Sequence, residues 1–164
     1  MKYLKAFFTV IAADFLSLFV SIPFAASSDI FLRLVSLICT AGVLICMMIN
    51  LAVKTAREDC RLERAEGKRN SVAEAVGIVI IVTLPAAVSW VVLMLSATGG
   101  NFDFYRLYKL INAPFLQFYN LIESDASSAA LSTGEVLLML PTVFAAAAAF
   151  AAAYTIAVGS EKSK

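Results

Sequence analysis

Few residues in this chain are equipped for chemistry. There is no histidine, which removes the commonest proton shuttle and transition-metal ligand and excludes any histidine-based triad or H-E-x-x-H motif. Cys39, Cys46 and Cys60 never form a C-x-x-C pair, the spacing that activates a redox thiol. Cys39 and Cys46 read instead as packing residues seven positions apart on one helix. No G-x-x-x-x-G-K-[ST] loop is present to cradle a nucleotide phosphate. Glu74 and Glu135 stand three residues after Ser71 and Ser132, the spacing of a capping box at a helix start. What remains is Asp14, a lone carboxylate midway through an apolar run. A charge at that depth costs roughly 3 kcal/mol on insertion scales, so such residues pair, stay neutral or bind something.

The elements that hold these residues are set by composition. The chain is 61 % hydrophobic and 15 % charged, outside the range of soluble globular domains. Its apolar residues concentrate in four runs, Ala6–Ala26, Ile30–Val53, Val72–Ala97 and Gly134–Val158, each longer than 20 residues. About 20 residues of helix cross a ~30 Å hydrocarbon core, and none of the runs alternates in polarity as a barrel strand would. The expected fold is an all-α integral membrane protein, one four-helix domain over residues 1–164.

Charge sets the threading. Lys2, Lys5, Lys54, Arg57, Arg61, Arg64, Lys68, Arg69, Lys162 and Lys164 fall on one side of the four spans, and Arg33, Arg106 and Lys109 on the other. The positive-inside rule then makes both termini and the 54–71 loop cytoplasmic. The first span ends in Ala25-Ala26-Ser27, which resembles a signal-peptide cleavage site. Its apolar run is longer than a signal core and contains Asp14, so it is read as a retained helix. With no N-x-[ST] sequon or organelle signal, the expected location is a multi-pass cell membrane, by default the bacterial cytoplasmic one.

Several local features follow. Ala26–Asp29 is long enough only for a turn, with Ser28 and Asp29 placed to cap the second helix. Counting outward from that turn brings Asp14 level with Ala41 and Gly42, beside Thr40. Close helix approach on those small residues would let the Thr40 hydroxyl serve the carboxylate. The 54–71 loop is expected to continue the second helix to about Glu66, ended by Gly67. Pro85 and Pro141 should bend the third and fourth spans. Ala145, Ala149, Ala153 and Ala157 recur every four residues as a small-residue packing face.

Between the third and fourth spans, residues 102–123 form an amphipathic segment that Pro114 should bend or split. A helical wheel places Phe104, Tyr108, Ile111, Phe115, Phe118 and Ile122 on an apolar face, and Arg106, Lys109, Asn112, Gln117, Asn120 and Glu123 on a polar one. That pattern suits an interfacial helix on the exoplasmic bilayer surface or a cap on the bundle. With only two basic residues it does not suit nucleic acid.

Function is bounded by these readings. No cofactor, metal or catalytic activity is expected. The expected partners are the lipid bilayer and a membrane protein or a second copy of the chain. The favoured role is an accessory or assembly subunit acting through helix and membrane-surface contacts. The alternative is a small transporter or channel in which Asp14 binds a proton or cation.

Overall fold

The computed structural model describes residues 2–25, 29–67, 71–125 and 127–163, and every regular element among them is helical. Four helical stretches are long and apolar enough to cross a membrane. The first is α1, Lys2–Ala25, and the second is α2, Ile30–Glu66. At 37 residues, α2 is about 55 Å long, well beyond the thickness of a hydrocarbon core. Asp29 caps α2 by accepting from the Phe31 N–H at 2.9 Å. Gly67 ends it at φ +67°, donating its N–H to Glu63 O, the left-handed ending a glycine adopts without strain. The expected turn at 26–28, including the capping Ser28, and the cations Lys68, Arg69 and Lys164 lie outside the described residues.

The third stretch is α3, Ser71–Ala97, which runs through Pro85 without interruption. The expected Ser71 capping position stands at the edge of the described residues, next to 68–70, which lie outside them. The Glu74 carboxylate turns to Lys2. The fourth stretch is interrupted at one residue. A short α6, Thr133–Leu138, opens with the full Ser132–Glu135 capping box, and the chain then steps at Met139 into α7, Leu140–Lys162. Pro141 explains the step, because it sits in the first turn of α7, where its missing N–H leaves no hydrogen bond broken. The Trp90 indole N–H donates to the Val136 carbonyl at 2.9 Å beside the break.

Two hydrophobic cores result. The larger lies between α1, α2, α3 and α7 around Ala13, Met48, Ile78 and Phe150. On α2 the buried positions recur at steps of four: Ser36, Thr40, Leu44, Met48, Ala52, Ala56 and Cys60. Each such step over-rotates a 3.6-residue helix by about 40°, so the buried face winds around α2 and serves different neighbours along its length. The second core lies at the far end. There α4, Tyr105–Ile111, a single 3-10 turn Ala113–Phe115, and α5, Leu116–Ile122, fold over the bundle. Tyr105, Tyr108 and Tyr119 pack against Leu93, Leu131, Val136 and Met139.

Candidate functional site

Asp14 sits at the midpoint of α1, about 18 Å along the helix from Lys2. It borders two recesses. One is a small internal cavity of about 30 Å³ shared with Pro85, Asn112, Pro114 and Thr142. The other is a groove of about 270 Å³ on the outer face of the bundle, walled by Phe7, Ile11, Phe15, Pro85 and Leu110. Phe15 and Leu110 are exposed, so this groove faces what surrounds the bundle. No described group hydrogen-bonds to the Asp14 carboxylate.

Thr40 does not join it. The Thr40 hydroxyl lies 2.7 Å from Pro114 O and 2.9 Å from Ser36 O, so its single proton pins the 3-10 turn of the cap onto α2. The helix–helix contact at this depth is made by Ser17, whose hydroxyl donates to Thr40 O at 3.3 Å. Gly42 plays no part in close approach, because a Cβ there would meet nothing within 4 Å. The buried side of α1 is formed by Ala6, Ala13, Ser17 and Ser21.

A second polar cluster escaped the sequence reading. Lys2 on α1 donates to Asp59 on α2 and to Glu74 on α3, and the Tyr154 hydroxyl of α7 donates to Asp59 Oδ2 at 2.7 Å. The Asp59 side chain is only 3 % exposed. Asp59 therefore ties α2 to α1 and α7, and Lys2 extends the network to α3 through Glu74, at the end where both termini lie. Its signal was present: Asp59 stands four residues after Thr55 and three after Ala56, on the buried face of α2, where a solvated loop acid would not lie.

The cap also departs from the wheel. Tyr108 is fully buried; Phe104, Phe115, Phe118 and Ile122 are half-buried against the second core; Ile111 is exposed. Lys109, Asn112 and Gln117, assigned to the polar outer face, are buried. The reason is the turn at Ala113–Phe115, which ends one helical register and starts another, so no single wheel spans residues 102–123. Inside, Asn112 Nδ2 donates to Ser89 Oγ at 3.0 Å. Lys109 donates to Glu123 O at 3.0 Å and Asp125 O at 3.2 Å, and its ammonium lies 4.1 Å from the Tyr105 ring centroid. Burial lowers the Lys109 pKa to about 8 and raises that of Tyr105. Asp103 accepts from both the hydroxyl and the N–H of Ser128, which hold its carboxyl below the usual range.

On α7 the deepest line is Val143, Ala146, Ala147, Phe150 and Tyr154. Ala145, Ala149, Ala153 and Ala157 are half-buried beside it. Ala149, Ala153 and Ala157 share an open groove with Ile45, Ile49 and Val53 of α2. Among the described residues, no three Asp, Glu or Cys side chains gather closely enough to hold a metal ion. No protein-family model, curated protein or solved structure matches the chain.

Proposed function

We propose that this membrane protein is a non-catalytic accessory or assembly subunit, and that Asp14 is the point at which it grips a partner helix within the bilayer. The observation that carries this reading is a carboxylate at mid-depth, without a hydrogen-bond donor among the described residues, opening onto an outward-facing groove. In hydrocarbon such a group is satisfied by a donor from another helix, such as an Arg, Lys, Ser, Thr or Asn side chain. The partner is a second membrane protein or a second copy of this chain. In the proposed orientation both termini and the α2 extension are cytoplasmic and the α4–α5 cap is exoplasmic, following the ten-to-three distribution of basic residues. The burial of Ala6 and Ala13 and the bonds of Lys2 support a retained first helix over a cleaved one.

The test is purification in gentle detergent followed by native mass spectrometry. The wild type should carry its partner at fixed stoichiometry, and Asp14→Leu should release a folded monomer. A wild type that is reproducibly solitary would sink the proposal.

One observation favours a second reading. The cavity of about 30 Å³ beside Asp14, bordered by Asn112 and Thr142, is large enough for a water or a small cation. Asp14 would then bind a proton or cation for transport, and Asp14→Asn would abolish ion-dependent flux in liposomes without affecting insertion. Unchanged flux would remove this reading.

A further inference from the structure

A groove of about 620 Å³ runs between α1 and α2 near the end that carries both termini. Lys5 and Lys54 stand at its mouth, one from each helix, with Asn50 beside them. The antiparallel register set by the Lys2–Asp59 bond brings the two lysines to a similar level. Leu4, Phe8 and Met47 form the apolar wall, and Leu4 and Phe8 are more than half exposed. Lys2, the nearest other cation on α1, is consumed by Asp59 and Glu74. Among the described residues, Lys5 and Lys54 have no carboxylate within ion-pair distance.

We infer that this groove is a binding site for an anionic glycerophospholipid, with its phosphate between Lys5 and Lys54 and an acyl chain along Phe8 and Met47. The occupant follows from the order of the groove. The two ammonium groups, without a carboxylate partner among the described residues, stand nearer the ends of their spans, and Phe8 and Met47 lie toward the centre of the same helices. That sequence of charge and then hydrocarbon matches one phospholipid molecule read from headgroup to chain. Asn50, exposed within an otherwise apolar stretch, supplies a neutral donor for a headgroup or ester oxygen. The volume lies in the range of small-molecule sites. This site is separate from Asp14 and does not depend on the assembly proposal.

The experiment is native mass spectrometry of the full chain from nanodiscs of mixed phosphatidylglycerol and phosphatidylcholine, with inorganic phosphate as a separate arm. One phosphatidylglycerol should remain bound per chain, preferred over phosphatidylcholine on the order of tenfold or more for two lysines. The Lys5→Gln/Lys54→Gln double variant should lose that preference, and Arg106→Gln, at the opposite end, should keep it. Inorganic phosphate at the same concentration should displace nothing. Equal retention of the two lipids by the wild type would overturn the site without recourse to any variant. Displacement by phosphate alone would overturn the role of the chain, and an unaltered preference in a folded double variant would overturn the role of the lysines.

Discussion

Asp14 and Asp59 are both carboxylates set among apolar helices, and their surroundings separate their roles. Asp59 is held by Lys2 and by the Tyr154 hydroxyl, so it is a lock. Removing Lys2 leaves a buried carboxylate with one neutral donor. A fully buried pair broken this way costs about 3–5 kcal/mol, and partial solvent contact of Lys2, 23 % exposed, lowers the expected loss. Lys2→Met should therefore destabilise the bundle by about 2 kcal/mol, read from denaturant unfolding in detergent, and Asp59→Asn should cost less because Asn still accepts from Tyr154. Lys109 provides a pH-dependent counterpart. Its folded pKa of about 8 lies below the ordinary 10.5, so between these values the unfolded chain binds more protons than the folded one. Stability should rise from pH 8 toward pH 10, and the rise should vanish in Lys109→Met. Equal slopes for the two proteins in thermal unfolding would contradict that assignment.

At the scale of elements, the cap is joined to the bundle by single bonds at defined places. Thr40 donates to Pro114 O, Asn112 to Ser89, and the Tyr119 hydroxyl bonds with Thr142 at 2.8 Å. Thr40→Val keeps the side-chain shape and removes the first of these, leaving a carbonyl with one partner fewer. The expected cost is about 1 kcal/mol, concentrated in faster amide exchange over residues 113–122. Exchange that accelerates uniformly through α2 would contradict a local role. These joints explain what the sequence could and could not disclose about the elements. Gly67, Asp29 and the Ser132–Glu135 box act through neighbours within a few residues, so the ends of α2 and the start of α6 were legible. Pro141 was visible, but whether it bends or breaks a helix depends on packing at Trp90 and Met139. The burial of Lys109 and Gln117 was invisible because the 3-10 turn resets helical phase, and periodicity carries no information across such a reset. Thr40 was recognised as a buried donor, yet its acceptor lies 74 positions away, a distance that no local pattern bridges.

For the whole molecule, four long apolar helices with cations gathered at one end make a membrane bundle, and its bilayer-facing grooves are where its function is proposed to lie. The bundle closes on itself through Ala13, Met48, Ile78 and Phe150, and Asp14 opens outward at mid-depth. Interhelical polar contacts in membranes contribute about 0.6–2 kcal/mol, so loss of the Asp14 contact should weaken association roughly threefold to thirtyfold. Asp14→Asn, which keeps an acceptor oxygen, should retain part of that association. The most direct measurement is the stoichiometry of the purified complex by native mass spectrometry, comparing wild type with Asp14→Leu at matched thermal stability. The wild type should form a complex of fixed composition, and Asp14→Leu should give a folded, solitary chain. A wild type that is always monomeric, or an Asp14→Leu complex identical to wild type, would contradict the proposed role of Asp14.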